Sequence, residues 1–225
     1  MTGPGVSLDD LGEIYGRRFL AKDAEEKDFV WREMTRFLQR FVPPDAVILD
    51  LACDRGDFIR NITGGEKWAT DLRDVRAELP AEIEFVKANG LELHRELPNA
   101  HFDVVFMSNY LEHLPSSSDV IEQFRVIHRL LKPDGRVIVL QPNIRLVGAR
   151  YWDFIDHSVA LTDRSLVEAA ALAGFRPETV IKRFLPYTTK SRLPLRPGLV
   201  RLYLKMPMAW LLLGKQTLYV GEKMS

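Results

Sequence analysis

The stretch Val47-Ile48-Leu49-Asp50-Leu51-Ala52-Cys53-Asp54-Arg55-Gly56-Asp57-Phe58 runs from an apolar segment through one carboxylate into a tight turn of small residues. Behind Pro43-Pro44, the apolar residues suit a strand buried on both faces. Gly56 stands where the chain must turn into the next element, for which the pattern predicts a helix over 56–62. Asp54 is the misfit: a loop that lets backbone close around a ligand favours glycine, and here an acid sits in its middle.

Outward from this unit, helical and extended patterns alternate. Upstream, residues 8–41 are charged and apolar at helical spacing, with Phe29, Val30, Glu33, Met34, Phe37, Leu38 and Phe41 on one stripe. Downstream, strands are expected at 66–71, 83–87 and 102–108, with a short helix near 73–79 between the first two. A Ser-Ser-Ser-Asp cap then opens a helix over 118–131, and Pro133-Asp134-Gly135 turns the chain into a strand at 136–140. A helix at 163–173, capped by Thr162 or Asp163 and closed by Gly174, leads to a strand at 175–184. A last strand at 216–222 can pair antiparallel with it. Strands separated by helices imply a parallel sheet with right-handed crossovers.

The first loop resembles the opening motif of the Rossmann-like S-adenosylmethionine-dependent methyltransferases, Asp/Glu-x-Gly-x-Gly-x-Gly, matched by Asp50, Ala52, Asp54 and Gly56. Phe102-Asp103-Val104-Val105-Phe106-Met107-Ser108-Asn109-Tyr110-Leu111-Glu112-His113-Leu114 resembles the fourth-strand motif of the same family. Leu130-Leu131-Lys132-Pro133-Asp134-Gly135-Arg136-Val137 resembles its approach to the fifth strand. With Asp71 ending the second strand, the similarity covers residues 45–184 in order. It implies an α/β fold: a doubly wound, mixed seven-stranded sheet with its last strand antiparallel, N-terminal helices and a C-terminal basic and apolar insertion. The chain is then one domain over 1–225, with a helical lid at 1–42, a core at 43–184, a substrate-side insertion at 185–214 and the last strand at 215–225.

The resemblance also implies a cofactor, S-adenosylmethionine, and a site at the strand ends, where open parallel sheets leave a crevice. Its methionine half would meet Asp50, Ala52, Cys53, Asp54 and Gly56, where an ammonium wants acceptors and a carboxylate wants donors. Asp71 is placed to accept both ribose hydroxyls, with Leu72 flanking the adenine. Asn89, with Gly90, falls where the family often has an acid for the adenine amino group, and an amide oxygen also accepts such a bond. Ser108 and Asn109 complete the cofactor side.

Methyl transfer is an in-line displacement from a sulfonium, so the protein mainly holds the acceptor atom opposite the departing sulfur. A hydroxyl acceptor also needs a base, and histidine titrates near neutrality. Glu112 and His113 after the fourth strand and His157 in Tyr151-Trp152-Asp153-Phe154-Ile155-Asp156-His157-Ser158 are the candidates. Packing beneath the cofactor with a backbone hydrogen bond outweighs catalysis for His113, whereas for His157, which Asp153 or Asp156 is placed to orient, catalysis and local capping weigh equally. Tyr151, Trp152, Tyr187 and Arg192 are the substrate-side candidates. Residues 157–175 look like small-molecule methyltransferases of sugar and polysaccharide pathways, which implies a small acceptor, sugar-linked or phosphorylated. No His, Cys, Asp or Glu spacing reads as a metal site.

Composition bounds the remaining classes. With 225 residues, 46% hydrophobic and 28% charged, the chain is of the soluble globular kind. The single Cys53 excludes a disulfide framework and fits a reducing cytoplasm. Met1 to Ser7 has no secretory pattern, and no apolar run approaches about 18 residues. A net charge of zero hides an asymmetry: 30 of the 31 acids but 22 of the 31 Lys and Arg lie at or before Glu178, leaving −8 there and +8 afterwards. Between Thr179 and Gly221 there is no acid at all, and this segment should attract an anion or anionic surface. Within 185–214, basic and apolar residues suit either a lid over an anionic sugar derivative or a peripheral contact with anionic lipid. No nucleic-acid reader pattern is present. Because Asp54 replaces a glycine, a catalytically weak or inactive binding protein is the alternative to an active enzyme.

Overall fold

A computed structural model of the protein describes residues 22–187 and 197–224. Seven strands form one sheet: β1 (Val47–Leu51), β2 (Glu66–Asp71), β3 (Glu84–Lys87), β4 (Phe102–Ser108), β5 (Leu131–Pro142), β6 (Phe175–Leu185) and β7 (Gln216–Lys223). Their order is β3-β2-β1-β4-β5-β7-β6. Pairs among β1 to β5 are parallel, and β7 runs antiparallel to both β5 and β6. The expected mixed, doubly wound sheet is therefore present. The chain leaves β1 toward β2 on one side and returns at β4 on the other, so the crevice opens at the carboxyl ends of these two strands.

Strand alternation sorts the side chains into two layers. Ile48, Ala69, Val104, Phe106, Ile138, Leu140, Leu218 and Val220 face one core. Helix α1 (Lys22–Leu38) packs there with Val30, Met34, Phe37 and Leu38, so the expected apolar stripe is the buried one. Leu49, Leu51, Val105, Met107, Val137, Val139 and Tyr219 face the other core. That layer is covered by α3 (Ser117–Leu130), through Val120, Phe124 and Ile127, and by α5 (Asp163–Leu172), through Leu166 and Ala170. Each is capped as its sequence suggests: Ser116 accepts from Asp119 N–H, and Thr162 and Ser165 form a reciprocal capping box. Two short helices remain, α2 (Leu93–Glu96) and α4 (Ile144–Val147).

The segment after β6 is helical where it is described. Helices α6 (Pro197–Lys205) and α7 (Pro207–Leu213) meet at Met206, because Pro207 is at home in a first helical turn and not in a helix interior. Glu33, the one acid on the α1 stripe, is buried and accepts two hydrogen bonds from the Arg201 guanidinium of α6, at 2.9 and 2.7 Å. This bonding holds its carboxyl below the usual range. Trp210 of α7 packs edge-on against Phe37 and Phe184. The opposite side of these helices is open: Leu199, Leu202, Met208, Leu211 and Leu212 are exposed, Leu212 to 82%. Arg192 and the rest of residues 188–196 lie outside the described residues, as does the N-terminal pattern before Lys22.

Three expected elements differ. The helix over 56–62 is a run of turns: Arg60 N–H to Gly56 O and Ile62 N–H to Phe58 O are helical bonds, but Asn61 N–H also goes to Phe58 O, Ile59 N–H goes to the Asp50 carboxylate, and Thr63-Gly64-Gly65 follow at once. Near 73–79 only the single turn Arg76–Glu78 is helical, because Arg76 folds back on the Pro80, Ala81 and Ile83 carbonyls. β5 begins at Leu131, not 136, with the Pro133-Asp134-Gly135 turn absorbed as an irregularity opposite Phe102 and Val104.

Candidate active site

The loop after β1 keeps the backbone of a three-glycine turn. Ala52, Asp54 and Gly56 all adopt left-handed φ, at 55, 51 and 73°. That conformation costs a non-glycine residue of order 1 kcal/mol or more, and the surroundings over-determine it. Cys53 N–H donates to Thr70 O at 2.9 Å, Gly56 N–H to Cys53 O at 2.8 Å, and Asp54 N–H to the Asp71 carboxylate at 3.0 Å. At Gly56 a Cβ would fall 2.4 Å from Leu79 Cδ2, so a side chain there would have to move the end of Leu79 as well as hold the left-handed backbone. Asp50 is buried, and desolvation raises its carboxyl well above the usual range, with nearby Asp57, Asp71 and Asp54 adding to it. Burial likewise pushes the Cys53 thiol up.

Asp54 does not stand as a bare charge. Arg73, two residues past the end of β2, places Nη2 2.8 Å from Asp54 Oδ1 and Nε 3.2 Å from Asp71 Oδ1. Burial disfavours the guanidinium charge, but the two carboxylates outweigh it and push its pKa up. Asp71, buried at the strand end, also accepts Arg73 N–H at 2.9 Å. Sequence reading missed Arg73, since an arginine after a strand looks like ordinary surface. Removing it should strand two carboxylates. Arg73→Ala is expected to destabilise the fold by about 2 kcal/mol in denaturant titration, less than for a fully buried pair because both side chains are about a quarter exposed. Asp54→Ala/Arg73→Ala should lose less than the two single changes added together; strict additivity would mean that solvent screens the pair.

Beside Asp71, Leu72, Lys87, Ala88, Asn89, Glu92 and Glu96 line an open cleft of about 300 Å³. Leu72 is 42% exposed there, as an adenine flank would be. Asn89 also serves the local backbone, since its side chain accepts Leu91 N–H at 3.1 Å and caps the turn Gly90–Glu92. Gly90 O accepts from Gln123, whose Oε1 takes the Tyr110 hydroxyl at 2.8 Å; a Cβ on Gly90 would meet that hydroxyl at 2.2 Å. At the end of β4, Asn109 turns left-handed at φ 49° and its amide donates to Ser108 Oγ. Left-handed turns, a strand-end carboxylate and this cleft fit an adenosyl cofactor.

On the other side of the crevice, Glu112 and His113 occupy the turn Leu111–His113 after β4. Glu112 O accepts Ser158 N–H at 2.8 Å and Val159 N–H at 3.1 Å, which draws the segment carrying His157 against it. The His113 and His157 rings meet edge to face at 5.2 Å, and His113 Nδ1 lies 3.0 Å from Asp156 O. Asp156 thus orients His113 as well as lying one residue before His157. Tyr151 is corrected as a direct substrate contact: it is fully buried, donates to Val159 O and backs His157 from behind. Trp152 is 53% exposed, and Tyr187 packs edge-on against Phe154.

A family model described as a methyltransferase domain matches residues 24–180. A ubiquinone biosynthesis O-methyltransferase from Pseudomonas paraeruginosa is 28% identical over 112 residues, covering 47% of each chain. A ubiquinone/menaquinone biosynthesis C-methyltransferase from Ralstonia pickettii is 29% identical over 123 residues, covering 50% of this chain and 49% of that one. The chain spans about half the length of the curated relatives it matches. Among solved structures, an S-adenosylmethionine-dependent methyltransferase from Archaeoglobus fulgidus aligns with TM-score 0.60 at 17% identity, over 85% of this chain and 94% of that one. A geranyl diphosphate C-methyltransferase from Streptomyces coelicolor, solved with Mg²⁺, geranyl diphosphate and S-adenosylhomocysteine, aligns with TM-score 0.58 at 14% identity, over 84% and 78%. At these identities the structures show a shared fold, and together with the match over 24–180 they place the chain in the methyltransferase domain family, with the Rossmann-like fold of its S-adenosylmethionine-dependent class.

Proposed function

We propose that the protein transfers the methyl group of S-adenosylmethionine to a hydroxyl oxygen of a small, ring-shaped acceptor. The observation that carries this reading is the convergence of Glu112, His113 and His157 at the carboxyl end of β4, beside the loop from Asp50 to Gly56. A hydroxyl must lose its proton to become a good nucleophile, and this cluster supplies the groups for that. When bound, S-adenosylmethionine supplies an electrophilic methyl on sulfur. Asp71 would hold its ribose, Leu72 and the Asn89 cleft its adenine, and the 52–56 loop its methionine half. Phe154 and Tyr151 pack against the His157 ring, with Tyr187 against Phe154 and Trp152 against Tyr151, and this run of aromatic rings favours a flat or ring-shaped acceptor over an extended chain.

Both a sugar-linked or phosphorylated hydroxyl and a hydroxyl on the ring of a ubiquinone precursor fit these walls; the acid-free stretch 179–221 favours the anionic kind, and the relative named for ubiquinone biosynthesis favours the other. The test is transfer of an isotope-labelled methyl group to a panel of both, with the product located by mass spectrometry and NMR. An O-methyl product is expected. Retained cofactor binding with no transfer to any hydroxyl would overturn the reading in favour of a binding protein.

A further inference from the structure

We propose that Glu112, His113 and His157 bind a divalent transition-metal ion. The proposal rests on the O-methylation reading for what the ion would do, but not for whether it binds. Each of the three residues offers one ligand atom, and these atoms lie within 4.8 Å of one another. Ligand atoms around a tetrahedral zinc at about 2.05 Å stand about 3.3 Å apart, so closure takes side-chain rotation and leaves the backbone in place. The backbone is already fixed for it: Ser158 and Val159 N–H groups both bond Glu112 O, pinning the His157 segment to the Glu112 turn.

A second observation is independent of that spacing. Glu112 is 1% exposed, and its Oε2 atom has no hydrogen-bond partner. Gln141, at the end of β5 and equally buried, likewise has neither amide atom in a hydrogen bond. Buried polar atoms without partners are rare because each costs about 1–3 kcal/mol, and a bound ion with its waters would satisfy them. The outer groups are also those of a metal site. His113 Nδ1 faces both Asp156 O at 3.0 Å and Asp156 Oδ2 at 3.4 Å, two acceptors that keep the proton on Nδ1 and leave Nε2 as the donor atom toward the cluster. Asp156 is itself buried, so this support is held in place.

Two imidazoles and one carboxylate select the kind of ion. Magnesium and calcium prefer all-oxygen shells, whereas this set suits zinc, iron, cobalt or manganese and leaves coordination positions open. An acceptor hydroxyl taken into an open position would lose its proton to solvent at lower pH than in water. The oxygen–methyl bond then forms as the methyl–sulfur bond breaks, with the electron pair leaving on sulfur. Sequence could not show the site, because one ligand comes from the loop after β5 and two from the turn after β4.

The experiment is titration of the metal-stripped, full-length protein with Co²⁺, followed by visible absorption and calorimetry. The expected result is saturation at one equivalent with a spectrum of nitrogen and oxygen ligation, displaced by Zn²⁺. His157→Ala and Glu112→Gln should each weaken Co²⁺ binding by at least about tenfold while S-adenosylmethionine still binds. Should a variant fail to fold, the native protein's stoichiometry and its competition by Zn²⁺ carry the test. Absence of a saturable site, or binding that both variants leave unchanged, would overturn the proposal. Since no acceptor is used, that outcome is separate from failure to methylate a hydroxyl.

Discussion

Alanine in place of Asp71 should weaken S-adenosylmethionine binding by at least about 100-fold. A carboxylate at the end of β2 can take both ribose hydroxyls in charge-assisted hydrogen bonds of about 1.5–3 kcal/mol each. Losing the pair then removes roughly 3–6 kcal/mol, or two to four decades of affinity at about 1.4 kcal/mol per decade. The same carboxylate accepts the N–H of Asp54 and both the N–H and the guanidinium of Arg73, so the ribose hydroxyls take it by displacing the guanidinium, and the alanine also loosens the left-handed turn at Asp54. Asp71→Asn keeps an acceptor oxygen but no charge and should fall between the two, near tenfold. Calorimetry with purified protein checks this, and thermal melting separates loss of the site from loss of the fold. Unchanged affinity in Asp71→Ala would mean that the ribose is held elsewhere, and the whole strand-end assignment would go with it.

Most of the sheet was legible because strands buried on both faces leave an unambiguous pattern. Val47–Leu51 and Phe102–Ser108 read as apolar runs between turn signals, and they pair where the order of motifs put them. The antiparallel return of Gln216–Lys223 followed from its length and position. What failed to show were features decided by side chains reaching across the fold. The 56–62 segment makes two helical bonds, Arg60 N–H to Gly56 O and Ile62 N–H to Phe58 O, but Gly64-Gly65 end it before a regular helix is established. Counting glycines undervalued the first loop: Ala52 and Asp54 hold the glycine conformation because Thr70 O and the Asp71 carboxylate accept the N–H groups of Cys53 and Asp54. Asp54 itself was legible only as a misfit. Its pairing with Arg73 turns a repulsive acid into half of an ion pair, and neither residue type announces the other across the intervening sequence. Tyr151 illustrates the reverse error, since an aromatic in a substrate-side segment can equally serve as wall filling.

His157→Ala and His113→Ala should each lower kcat by about 10²- to 10⁴-fold, the range expected when a group that handles the acceptor proton is removed. On the proposed reading, Asp71 and its cleft hold the cofactor and both rings face the acceptor, so cofactor affinity should move little. The two variants should differ in a second respect. His113 is held by Asp156 at Nδ1, so Asp156→Asn weakens the same function indirectly and should lower kcat by a smaller factor, near tenfold. His157 is framed by Tyr151 and Phe154, so Phe154→Leu should raise KM for a ring-shaped acceptor more than it lowers kcat. Single-turnover assays with labelled methyl separate these contributions from product release. If kcat survives in both histidine variants, the proton leaves the acceptor without them, and Glu112 and its neighbours would be a structural knot between two loops rather than the reacting centre.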